Sequence, residues 1–229
     1  MDKAMAKAVI EWDTVTWARA VDFWKAPECT PFKDNGRLVL DVGGRGGGLS
    51  LMFALLGYRV CCTDLGNPSE TAGPLHRQYG VEDLITYRTL DVLDLDEKEK
   101  YDIICFKSVM GGVGHHNHYD AQQKMIENIY RALKPGGYLY FAENTTASPL
   151  HRFLRGRFSP WAAYWRYVTP EEVHELCRPF SQVRYKSFGF LGTLGRSERQ
   201  RRLLGSVDRI FDCFLPAGLK YCISVVAKK

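Results

Sequence analysis

The string VLDVGGRGGGLS at residues 39–50 places Asp41 just ahead of a run of glycines. Gly43, Gly44, Gly46, Gly47 and Gly48 keep side chains off the backbone there, so the turn can come close to a bound nucleotide. Arg45 interrupts the run: either the turn uses Gly44, Gly46 and Gly48, or Arg45 points away. Twenty-three residues after Asp41 comes Asp64, followed by Leu65, where a strand-end carboxylate can accept from both ribose hydroxyls. The stretch FKSVMGGVGHHNHYD then carries Lys107 and Ser108 at a strand end, and His115, His116 and His118 in a glycine-rich loop. Imidazole titrates near neutrality and suits proton transfer, so His115 or His116 is the candidate base. Three histidines can also bind a divalent ion. No metal is expected here, because the adjacent rings of His115 and His116 diverge and lack an acidic partner. Glu143 ends another strand, where it could hold substrate or orient a base.

Asp41 separates two nucleotide chemistries. A dinucleotide turn packs amides and a helix N-terminus against a pyrophosphate, which an adjacent carboxylate would repel. S-adenosylmethionine has no phosphate but carries an α-amino group and a sulfonium, both cationic, which an acid favours.

The elements that must position these groups follow from periodicity. Strands are expected at Arg37–Val42, Tyr58–Thr63, Leu84–Thr89, Tyr101–Phe106 and Gly137–Ala142, with helices between them, as in a parallel sheet covered on both faces. The first helix starts near Gly48; another, Tyr119–Leu133, stops at Lys134-Pro135-Gly136-Gly137. Thr169-Pro170-Glu171-Glu172 opens a helix to about Cys177. Strands at Val183–Phe190 and Leu219–Ala227 flank a helix over Ser197–Phe214. Thr14–Lys25, with Trp17, Val21 and Trp24, reads as an amphipathic helix outside the core, and the Trp12, Trp17 and Trp24 region suits an interface as readily as a cofactor cover.

At 229 residues, 45% hydrophobic and 25% charged, the chain is expected to form one domain with its own core and no disulfide or metal staple. Seven cysteines, including Cys29, form no CxxC pair, and no leader precedes the first helix, so a reducing, cytoplasmic location is expected. Charge is lopsided: 16 Lys/Arg against 20 Asp/Glu up to residue 149, net −4, then 15 against 6, net +9. The basic third begins with LHRFLRGRFSPWAAYWRY, which mixes Arg152, Arg155, Arg157 and Arg166 with Phe153, Phe158, Trp161 and Trp165. Arg152, Arg155, Trp161 and Trp165 are candidate acceptor-binding residues, stacking on a sugar ring and forking a phosphate. The same segment suits an anionic membrane face, or a plain helix with its arginines in water. Nucleic acid is not expected, given the acidic first half.

VLDVGGRGGGLS, VCCTDLG, TLDV with its Asp91 and Val92, and LKPGGYLYFAE, in that order, resemble the motifs of class I S-adenosylmethionine-dependent methyltransferases across most of residues 37–145. YWRYVTPEEVHEL and GFLGTLGRSERQRRLL are similar to bacterial members associated with surface polysaccharide synthesis. The resemblance implies a Rossmann-like α/β three-layer sandwich: a seven-stranded, mostly parallel sheet with an antiparallel last strand and an N-terminal helical extension. It divides the chain into a helical cover (1–36), a cofactor-binding core (37–145) and a substrate-side lid with the last strands (146–229). It implies S-adenosylmethionine bound at Asp41, Gly43, Gly44, Arg45, Gly46, Gly47, Asp64, Leu65, Asp91, Val92, Lys107 and Ser108, with S-adenosylhomocysteine as product. The acceptor implied is a hydroxyl of a sugar, glycan intermediate or other small molecule, phosphorylated or lipid-linked forms included. N- or C-methylation, and cofactor binding without catalysis, are the alternatives. A nicotinamide oxidoreductase would lack the antiparallel last strand.

Overall fold

The computed structural model describes residues 3–26 and 36–229; Cys29 and the side chain of Trp161 lie outside the described residues. Seven strands form one sheet: β1 (Leu38–Val42), β2 (Arg59–Asp64), β3 (Ile85–Thr89), β4 (Tyr101–Lys107), β5 (Leu133–Asn144), β6 (Gln182–Phe188) and β7 (Cys222–Lys228). Their order is β3-β2-β1-β4-β5-β7-β6. The β1–β2, β1–β4, β2–β3 and β4–β5 pairs are parallel, and β7 runs antiparallel to both β5 and β6. The antiparallel last strand is therefore present, and the nicotinamide reading loses its distinguishing expectation.

Central strands are buried on both sides, which is why LVLDV and YDIICFK read as nearly continuous apolar runs. Alternate residues serve opposite faces: Val39, Ile103 and Cys105 one, Leu40, Ile104 and Phe106 the other. The first face is covered by α1 (Lys3–Ile10), α2 (Thr14–Phe23) and α3 (Gly48–Leu55). The second is covered by α7 (Tyr119–Ala132) and α9 (Pro170–Leu176), whose capping box joins Thr169 to Glu172. Four short helices, α4 (Pro68–Thr71), α5 (Gly73–Gln78), α6 (Met110–Val113) and α8 (Pro149–Phe158), and the longer α10 (Glu198–Phe211) complete the chain.

Two local expectations change. The N-terminal helix is not outside the core: Trp17 and Trp24 are fully buried in the first-face cluster, and Trp24 packs on Tyr140 of β5 at 5.9 Å. Its apolar stripe covers one half of the sheet, and a tryptophan stripe alone does not say what it covers. The Lys134–Gly137 turn lies inside β5, where the pairing with β4 slips between Tyr101 and Ile103. Gly136 supplies the left-handed backbone of that irregularity, and Lys134 bonds Asp102 at 2.9 Å.

Candidate active site

β1 ends by delivering Asp41 into a buried position beneath the first turn of α3, where its Oδ2 accepts from the Ser50 amide (3.0 Å) and hydroxyl (2.6 Å). Burial pushes the Asp41 carboxyl up to about 7, against the pull of the Ser50 bonds. The following turn is tied down by Gly44 N–H to Thr63 O and Gly47 N–H to Gly44 O, both 2.7 Å. A Cβ on Gly44 would stand 2.9 Å from Cys62 Sγ and 3.1 Å from Asp41 Oδ2. Gly48 has no room for a side chain beneath the Val9 carbonyl of α1. Gly43 and Gly47 take left-handed backbone, and so does Arg45, whose amide donates to Asp64 Oδ2 at 2.8 Å. The interruption is thus absorbed by the backbone of Arg45.

A cavity of about 710 Å³ opens beside this turn. Asp41, Gly43, Gly44 and Arg45 line one end, with Val9, Glu11 and Trp12 of the N-terminal cover above them. Lys107, Ser108 and Asn144, at the carboxyl ends of β4 and β5, also line it, as do Arg155, Ser159, Trp165 and Tyr167. Thr193 and Arg201 complete the rim. The Lys107 ammonium donates to the Ile10 carbonyl at 3.3 Å and lies over the Trp17 ring at 5.4 Å. Burial lowers its pKa from the ordinary lysine value, and the nearby Glu11 carboxylate only partly offsets this. Ser108 is held in left-handed backbone and accepts from Asn144 Nδ2 at 2.8 Å.

Other expected residues stand around this cleft rather than in its wall. Gly46 packs against Glu11 and Gly47 against His76, which fixes the turn by bonds to Gly47 O (2.9 Å) and Tyr87 (2.8 Å). Asp64 closes on its own shoulder, accepting from the Leu65 amide at 2.7 Å as well as from Arg45. Asp91 caps a short turn through Leu93 N–H, and Val92 is buried with its carbonyl bonded to Asn128. Arg152 lies in a neighbouring hollow that shares Arg155, Ser159 and Tyr167 with the cleft.

The expected catalytic groups do not converge. Glu143 is fully buried, and its carboxylate accepts from the amides of Val109, Met110 and Asn144, each at 2.8 Å. It thereby holds the β4–α6 loop, and burial pushes it up to about 7. His115 and His116 are exposed, 5.1 Å apart, and belong to no part of the cleft wall. Left-handed backbone at His116 turns the loop outward, and its ring meets Tyr164 at 5.4 Å. Trp165 and Tyr167 stand between that outer hollow and the cleft, lining both. Among the described residues no His/Cys/Asp/Glu group is arranged to hold a metal ion. Val9, Glu11, Trp12, Leu49, Asn144, Ser159, Tyr167, Thr193 and Arg201 line the cleft without having been selected as site residues from the sequence. Of these, Trp12 carried a signal in the tryptophan-rich cover, and Tyr167 in the YWRY string.

A β3-β2-β1-β4-β5-β7-β6 sheet with an acid-then-glycine turn opening on a cleft at the strands' carboxyl ends defines the Rossmann-like methyltransferase class. Residues 15–187 match a methyltransferase-domain family. The chain belongs to that family, whose methyl donor is S-adenosylmethionine. It is 30% identical over 138 residues to a ubiquinone biosynthesis O-methyltransferase of Pseudomonas savastanoi pv. phaseolicola, covering 55% of this chain and 56% of the relative. The chain thus spans about half the length of the curated relatives it matches. In fold it is similar to a putative sarcosine dimethylglycine methyltransferase from Galdieria sulphuraria (TM-score 0.62, 15% identity, 93% of this chain and 86% of that one). It is equally similar to a SAM-dependent methyltransferase from Archaeoglobus fulgidus (TM-score 0.62, 15% identity, 93% and 92%).

Proposed function

We propose that this chain moves the methyl group of S-adenosylmethionine to a hydroxyl of a sugar, glycan intermediate or similar small acceptor, as surface-polysaccharide synthesis requires. The observation that carries the reading is that one cleft is lined by Asp41 and Gly44, by Lys107 and Ser108, and by Arg155, Trp165 and Tyr167. The cofactor end fits a cationic ligand: Asp41 is buried, raised in pKa by that burial, and open to the cleft, so a cation there would restore its charge. The glycines at 43 and 44 present bare backbone to the cleft, and a Cβ on either would press on Val109 or on Cys62 and Asp41, so side chains are excluded from this turn. When bound, the cofactor supplies an electrophilic methyl, and the acceptor oxygen must approach it in line.

The chain's own residues supply alignment and proton removal. Trp165 and Tyr167 offer flat faces for a sugar ring and shut out water on that side. Lys107 is the group we assign as proton acceptor, because it is a base in the cleft lining whose pKa burial depresses. His115 and His116, outside the wall, are not needed for the step. Oxygen as the acceptor atom is supported by the curated O-methyltransferase relatives. A cytoplasmic site of action is supported by the free thiols of Cys61, Cys62, Cys105, Cys177, Cys213 and Cys222. The test is incubation of the protein with methyl-labelled cofactor and fractionated cell extract, followed by mass spectrometry of labelled products. An O-methylated small molecule or glycan is expected; label on nitrogen or carbon, or no label at all, contradicts the reading.

A further inference from the structure

Beside the cleft, α8 and the turn after it enclose a second hollow of about 480 Å³, lined by Arg152, Arg155, Arg157, Thr146 and Ser159. From Asn144 to Pro170 the chain carries four arginines and no acid. Arg166 is paired with Glu172 at 2.6 Å, whereas Arg152, Arg155 and Arg157 have no carboxylate partner among the described residues. Arg155 is the most telling of the three. Its Nη1 donates to the Thr145 carbonyl at 2.6 Å and its guanidinium lies 4.1 Å above the Tyr167 ring, so neutral groups alone answer a half-buried charge. Burial lowers its pKa, which is the mark of a cation short of negative charge.

The hollow is held in place rather than draped on the surface. His151 anchors α8 through Nε2 to the Phe190 carbonyl and Nδ1 to the Ser148 hydroxyl, both 2.7 Å, and the Ser148 hydroxyl caps the helix. Gly156 also lines the hollow, and nothing stands within 4 Å of the position a Cβ would take there. Attraction of Arg155 and Arg157 to the carboxyl end of α8 accounts for part of the pattern. It does not account for Arg152, a turn earlier, or for the convergence of all three on one hollow.

We propose that this hollow is a phosphate-binding subsite: Arg152, Arg155 and Arg157 hold a phosphate or diphosphate group of the acceptor. Because Arg155, Ser159 and Tyr167 line both spaces, one molecule can place its phosphate here and its hydroxyl beside Lys107. Guanidinium forks suit phosphate oxygens in pairs, and Thr146 and Ser159 add hydroxyl donors. This rests on the methyl-transfer reading and narrows it to acceptors carrying a phosphate or diphosphate, such as sugar phosphates or nucleoside-diphosphate sugars.

Calorimetric titration of inorganic pyrophosphate into the protein tests it, after S-adenosylhomocysteine has been titrated in the same cell. Saturable pyrophosphate binding is expected, weakened at least tenfold (about 1.4 kcal/mol) in Arg152→Gln/Arg157→Gln. It should change less than about twofold in Arg199→Gln/Arg202→Gln, which removes the same charge from the exposed face of α10. No saturable binding, or equal weakening by both pairs, overturns the subsite. So does Arg152/Arg157-dependent sedimentation with phosphatidylglycerol vesicles in the absence of pyrophosphate affinity, since the arginines would then read a bilayer. If S-adenosylhomocysteine fails to bind, the methyl-transfer reading falls first, and pyrophosphate binding to the free protein still decides the hollow.

Discussion

Gly111 and the Trp165 indole pack so tightly that a Cβ on Gly111 would collide with the indole Nε1, while the Arg166 amide donates to the Gly111 carbonyl at 3.0 Å. The glycine loop after β4 is therefore the bed on which the acceptor wall lies. Gly111→Ala must expel Trp165 or distort the loop, and overpacking of this kind costs about 1–3 kcal/mol. We expect a lower melting temperature and a raised KM for the acceptor, with S-adenosylhomocysteine affinity unchanged in calorimetry. Unchanged acceptor KM would separate Trp165 from acceptor binding.

Glu143 holds the same loop from below. Glu143→Gln replaces one acceptor oxygen by a donor facing backbone N–H groups, at a cost of about 1–3 kcal/mol for the stranded amides. Thermal melts should show this loss, and acceptor KM should rise more than kcat falls, as befits a positioning residue. A collapse of kcat at unchanged KM would instead give Glu143 a direct part in the reaction.

Lys107→Met should cut kcat by about 10²-fold or more while leaving cofactor affinity within a few-fold. A neutral amine is the active form, so kcat should rise with pH through a value below the ordinary 10.5 of lysine, and this limb should vanish in the variant. His115→Ala/His116→Ala should keep turnover within about threefold, since exposed groups off the wall contribute little. Loss of turnover in the histidine pair with retention in Lys107→Met would reverse the assignment.

The order of β1 to β5 and the acid-glycine turn were legible because they are written locally, in β-branched runs, a strand-end acid and turn residues. What escaped depends on contacts between distant segments. Nothing in the spacing of HHNH says that His116 adopts left-handed backbone and swings outward. Nothing near Glu143 says that its carboxylate is consumed by amides some 30 residues earlier in the chain. The seating of α1 over Gly48, which brings Glu11 and Trp12 to the cofactor end, likewise has no local signature.

Asp41 links stability to function with opposite signs. Its folded-state pKa is raised from 3.8 to about 7, so the folded chain holds a proton that the unfolded chain has lost across that window. Its contribution therefore falls as pH rises from about 4 to 7, and the charged form is a net burden above it. Asp41→Asn should be close to neutral at pH 5 and raise the stability of the free protein by on the order of 1–3 kcal/mol at pH 8. Denaturant melts of both proteins at the two pH values check this; a variant less stable at pH 8 would contradict it.

The most direct test of the whole account is calorimetric titration of S-adenosylmethionine into the wild-type chain and Asp41→Asn at pH 8. Saturable one-to-one binding is expected for the wild type, weakened at least tenfold (about 1.4 kcal/mol) in a variant that is folded and no less stable. No binding to the wild type, or equal binding to both, would contradict the assignment of this cleft as a methyl-donor site built around a buried carboxylate.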